Sequence, residues 1–120
     1  DVESTSDVII LSQNLSTQYT LFDPIGAPAA ANLILTHGFS RDMSVMSDFA
    51  QHYASWGIRV STMNLLHSSI FDNDPILDAI DLNILSEYIS LDEGVIYVGQ
   101  SAGAMRSIVA AAQDSNGAQG

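Results

Sequence analysis

From Asn32 onward the chain alternates strand-length apolar runs with segments of helical period, and no other feature limits the fold as strongly. Asn32–Thr36 is short, apolar and uncharged, which fits a strand buried on both faces. From about Ser44 to Trp56 the period turns helical. Met46, Phe49, Ala50, Tyr53 and Trp56 share one face, and Gly57 stands in the C′ position. Ile58–Thr62 reads as a second strand of the same kind. Asp74-Pro75 then opens a second helix, with Asp as N-cap and Pro at N1. Ile76, Leu77, Ile80, Ile84, Leu85 and Tyr88 supply the stripe expected to be buried. Val95–Val98 is a third apolar strand. The helix expected from about Ala102 to Gln113 is apolar nearly all round, so both of its sides should be covered. Strands alternating with helices imply right-handed crossovers onto a parallel sheet, with helices on both faces.

Ahead of this unit, Val8–Leu11 and Gln18–Phe22 read as an antiparallel hairpin around a polar turn, Ser12–Ser16. Residues 1–7 read as a polar N-terminal tail and residues 114–120 as a polar loop. A hydrophobic fraction of 47% supports a real core and argues against disorder. No run approaches the roughly 18 apolar residues that a membrane span needs. Fourteen acidic residues face three arginines and no lysine, for a net charge of −11. Such a field repels nucleic-acid phosphates and anionic lipid. The acidic residues are scattered without metal-ligand spacing, and the lack of cysteine excludes disulfides and thiolate metal sites. Strong acidity, no cysteine and a start without methionine favour a periplasmic or secreted setting.

The chemistry is concentrated in Gly99-Gln100-Ser101-Ala102-Gly103. A G-x-S-x-G sequence alone is weak, but here a strand precedes it and a helix follows at once. That setting defines a nucleophile elbow, a turn so tight that side chains at Gly99 and Gly103 would meet the neighbouring strand and helix. Ser101 would stand at the C-terminal edge of the sheet and at a helix N-terminus, where amides favour a developing negative charge. The rival reading is a glycine-rich turn with an incidental serine.

His37-Gly38-Phe39-Ser40-Arg41 follows the first parallel strand. With both segments in this order, residues 8–113 resemble the N-terminal half of the α/β-hydrolase superfamily. Within it they look nearest to bacterial esterases of the dienelactone-hydrolase, chlorophyllase and polyester-hydrolase kind. The resemblance implies an α/β-hydrolase fold, N-terminal portion: an antiparallel hairpin followed by parallel βαβαβα. It implies Ser101 as nucleophile, with the backbone amides of Phe39 and Ala102 as oxyanion-hole donors. It gives His37 a bracing role in the oxyanion loop, with Gly38, Gly99, Gln100 and Gly103 in support. Gln100 stands where many members carry His, Tyr or Trp. Ser40, Arg41 and His67 are candidates for the rim of the site. For Arg41 a surface salt bridge is the rival reading, and for His67 a structural role. His52 falls off the apolar stripe and reads as a surface residue, while Tyr53 and Trp56 read as core.

In that superfamily the acid and the histidine follow the nucleophile in the chain. After Ser101 there is no histidine and one acid, Asp114. The triad is therefore expected to draw its acid and histidine from beyond these residues, and the chain to be a fragment, a proteolytic half or one piece of a nicked enzyme. The C-terminal half, or a second chain, would complete both sheet and triad. The expected activity is hydrolysis of a small-molecule carboxylic ester through an acyl-enzyme, with no cofactor and no metal. Thioesterase, peptidase or lactonase chemistry would use the same parts, and a non-catalytic binding domain on this fold is the alternative from another class.

Overall fold

The computed structural model describes residues 2–11, 14–26, 28–37, 43–67, 73–90, 94–99 and 102–113, with the backbone alone at 45, 90 and 102–107. The elements run β1 (Val2–Ile10), β2 (Ser16–Pro24), β3 (Asn32–Thr36), a 3₁₀ turn (Met43–Met46), α1 (Ser47–Ser55), β4 (Arg59–Met63), α2 (Pro75–Ser90), β5 (Val95–Gly99) and α3 (Ala102–Gln113). This is the expected order with the 3₁₀ turn added. The segment expected as a polar tail is strand from Val2, because each of its residues finds a partner on β2, from Val2↔Pro24 to Ile10↔Ser16. Its side chains up to Val8 stay largely in water, so polar residues suffice there. The hairpin turn places Asn14 at φ 57, a left-handed conformation that asparagine tolerates.

The sheet order is β1-β2-β4-β3-β5. β1–β2 and β2–β4 are antiparallel, while β3 pairs in parallel with both β4 and β5. All five residues of β3 are buried, as an apolar strand between two parallel neighbours should be. Leu33 and Leu35 join a cluster with Met46, Ala50, Ala54, Phe22 and Val60 on the α1 side. Ile34 points the other way, into a cluster with Ala79, Leu82, Leu85, Ile89, Tyr97 and Ala110 beneath α2 and α3. Helices thus cover both faces. An ion pair from Arg59 Nε to Asp23 Oδ1, 2.7 Å, links β4 to β2.

Two helix faces differ from expectation. On α1 the buried positions are Ala50 and Ala54, and Met46 at the end of the 3₁₀ turn continues their spacing of four. Phe49 and Trp56 are 55% and 63% exposed, so neither belongs to the core, and Tyr53 is only half-buried. The alanines let the helix lie close on the sheet, which moves the large rings to its flanks. There Trp56 packs edge-on against His52 and Tyr53, at ring separations of 4.6 and 5.6 Å. Gly57, at φ +88, closes the helix as expected.

On α2 the buried face is Asp78, Ala79, Asp81, Leu82, Leu85, Ser86 and Ile89, while Ile76, Ile80 and Tyr88 are exposed. A face that buries two carboxylates is invisible to apolar periodicity; Asp78 is met there by a donor from outside the helix, the His67 N–H. Asp74 caps the helix as expected, its Oδ1 accepting from the N–H groups of Ile76 and Leu77 at 3.1 Å. On α3, Ala110 is buried but Ile108 is 71% exposed, so this helix is covered on one side only among the described residues.

Candidate functional site

The register of β3 against β5 places Thr36 beside Gly99, the last residues of their strands. Adjacent strands lie about 4.8 Å apart. The two strands therefore end side by side at one edge of the sheet, β3 just before His37 and β5 just before Gln100. β5 ends at Gly99 and α3 begins at Ala102, so only two residues separate strand from helix. The first-turn N–H groups of α3, that of Ala102 among them, have no intrahelical acceptor. The same turn contains no acidic side chain to oppose an incoming anion.

His37 is 1% exposed, and its Nε2 accepts a hydrogen bond from the Leu65 N–H at 3.0 Å. That bond ties the end of β3 to the connection following β4. It also occupies the Nε2 lone pair that a general base would need. Six residues on, the Met43 N–H donates to Asn64 Oδ1 at 2.8 Å. Asn64 is itself fixed to β2: its N–H donates to the Gln18 carbonyl at 3.0 Å, and its carbonyl accepts from Thr17 Oγ1 at 2.8 Å. Nothing in the sequence singles out Asn64; its partners come from two separate elements, the 3₁₀ turn and β2.

His67 is 5% exposed, which places it inside the structure at the base of α2. Its N–H donates to Asp78 Oδ1 at 2.9 Å, its carbonyl accepts from the Asp74 N–H at 2.9 Å, and its Nε2 lies 4.0 Å from Asp81 Oδ2. These contacts join the end of the connection after β4 to the first turns of α2. His52 lies on the exposed side of α1, as expected. An apolar cleft of about 200 Å³, lined by Leu35, Met46, Phe49, Tyr53, Val98 and Gly99, opens on the α1 side of the two strand ends. Among the described residues no group of three His, Cys, Asp or Glu side chains could hold a metal, and no helix is long and apolar enough to cross a membrane. Gly38, Phe39, Ser40, Arg41, Gln100 and Ser101 lie outside the described residues, as does the segment 114–120; of Ala102 and Gly103 the backbone alone is described.

No family model matches the sequence, and no curated protein matches it. Solved structures do. The chain superposes on the α/β hydrolase GrgF from Penicillium sp. sh18 with a TM-score of 0.82 and 16% identity, over 96% of this chain and 43% of that one. A highly thermostable carboxyl esterase from Bacillus coagulans gives 0.76 and 16%, over 98% and 42%. XC6422 from Xanthomonas campestris, an α/β serine hydrolase without a lid, gives 0.74 and 20%, over 95% and 58%. The fold is therefore that of the N-terminal portion of an α/β hydrolase. The chain spans about half the length of the solved chains it matches.

Proposed function

We propose that this chain carries the nucleophile and oxyanion-binding half of a serine hydrolase of carboxylic esters. The observation that carries the reading is the pairing of Thr36 with Gly99. It sets side by side the strand ends that lead, in sequence, into the two segments that resemble an oxyanion loop and a nucleophile elbow. Esterases among the structural neighbours support the choice of ester over other acyl substrates.

In this reading Ser101 Oγ attacks the ester carbonyl while a histidine supplied from outside these residues takes its proton. The carbonyl oxygen becomes an oxyanion held by the backbone N–H groups of Phe39 and Ala102. Collapse of the tetrahedral intermediate expels the alcohol, which receives the proton from the histidine. Water then repeats the sequence on the acyl-enzyme and frees the acid. Each backbone donor of this kind contributes on the order of 3 kcal/mol to the barrier reduction.

The test uses the full-length natural protein. It should be labelled covalently at Ser101 by a fluorophosphonate and should hydrolyse a short p-nitrophenyl ester. Ser101→Ala should lose labelling and at least about a thousand-fold in kcat. A folded full-length sample that shows neither labelling nor turnover favours a non-catalytic binding domain.

A further inference from the structure

We propose that the exposed ridge of α2 is a docking surface for a second copy of this chain, the two copies related by a two-fold axis near Leu82. Ile76, Ile80, Ile84 and Tyr88 follow one another at spacings of four along a helix of 16 residues. Apolar periodicity assigns these positions to the core. Ile76 and Tyr88 are instead 56% and 60% exposed, Ile80 is 37% exposed and Ile84 is half-buried. No charge interrupts the row, because Asp78 and Asp81 lie on the buried face. The Tyr88 ring is held in place, edge-on to the buried Tyr19 at 5.8 Å. An exposed aromatic fixed in this way is the kind of anchor that dominates an interface. Between the C-terminal half of the ridge and β1 lies an open cleft of about 500 Å³, lined by Val8, Ile9, Ile10, Ile84, Glu87 and Tyr88.

A ridge and a groove on one face suit a partner of the same shape. A row at i±4n packs into the same row of a second helix when the two axes cross at about −50°. A two-fold axis at the middle of α2 sets Ile80 against the partner's Ile84. It also turns the N-terminal part of each ridge, Ile76 and Ile80, towards the cleft of the other copy. In such an isologous contact every match occurs twice. The four side chains expose roughly 400 Å², the size at which an apolar patch marks an interaction site. With the cleft walls and the polar rim at Asn73, Asn83 and Glu87, the footprint approaches the roughly 800 Å² that each partner gives to a stable complex. Pairing through the β1 edge would instead place Glu3 and Asp7 of both copies in one ladder.

The test is sedimentation equilibrium of the full-length natural protein up to about 100 μM, a range that populates any dimer of micromolar affinity. The wild type should sediment as a dimer. Ile80→Lys should raise the dissociation constant at least about thirtyfold, the loss expected of a central interface side chain. Ile84→Glu and Ile76→Glu should each do the same. All three positions reach solvent, so the circular-dichroism spectra should match that of the wild type. An equimolar mixture of Ile80→Lys and Ile84→Glu should regain the dimer. The introduced charges then face each other across the axis, and the second contact is again isoleucine on isoleucine. Ile25→Glu, at an exposed isoleucine just after β2, should leave the dimer intact. A monomeric wild type, a dimer that survives Ile80→Lys, or a mixture that stays monomeric would each overturn the inference.

Discussion

His37 is a titratable side chain with almost no access to water, and its orientation is set by what it accepts. Because Nε2 takes the Leu65 N–H, the neutral ring carries its proton on Nδ1. His37→Phe would fill the space but strand a buried donor, which costs about 1–3 kcal/mol. A urea melt should show that loss as a lower midpoint with an unchanged slope; an unshifted midpoint would mean that water meets the Leu65 N–H. Tyr19 makes a different residue-level statement. Its pKa rises from 10.0 to about 12, first through its hydrogen bond to Tyr88 and then through burial. The folded state thus holds this proton more tightly than the unfolded state. The corresponding stability is complete below pH 10 and is lost as pH rises towards 12. Melts at pH 9, 10 and 11 should fall more steeply for the wild type than for Tyr88→Phe.

Elements are tested by the faces they bury. Ile80 and Leu82 are equally apolar in sequence, yet Ile80 is 37% exposed and Leu82 1% exposed. Leu82→Ala should cost about 2–5 kcal/mol and Ile80→Ala well under half of that, read from parallel denaturant melts. The reverse ranking would restore the stripe expected from periodicity. Element type and order were legible from Asn32 to Gln113, since strand-length apolar runs, the Asp74 cap and the Gly57 stop are local signals. Facing was not. The buried side of α2 includes Asp78 and Asp81, and the bond that makes Asp78 tolerable comes from His67, eleven positions away. The lower side of α1 is set by alanines, whose small size matters only against a sheet. Asn64 escaped for the same reason: a loop asparagine bonded across 21 positions carries no local mark.

At the scale of the molecule, the two edges of the sheet are unlike. β1 carries Glu3 and Asp7, charges of the kind that discourage further pairing. β5 reads Val95-Ile96-Tyr97-Val98-Gly99, without a charge, and its Ile96 and Val98 side chains are only half-buried. The overall architecture was legible because alternation of strand and helix leaves few topologies once crossovers must be right-handed. The candidate site reads in the sequence as two short segments. That the strands leading into them pair side by side was not legible, because it depends on a register that no local pattern encodes.

That register also has a kinetic meaning. Thr36 and Gly99 are about sixty residues apart in sequence, and their pairing closes a loop that passes through α1, β4 and α2. Contacts of such long range form slowly, after local turns and helices are in place. A nascent chain that has emerged only as far as α2 already contains β1 to β4, but β5 has still to pair with β3. The ends of β3 and β5 therefore come together only after most of the described elements are present.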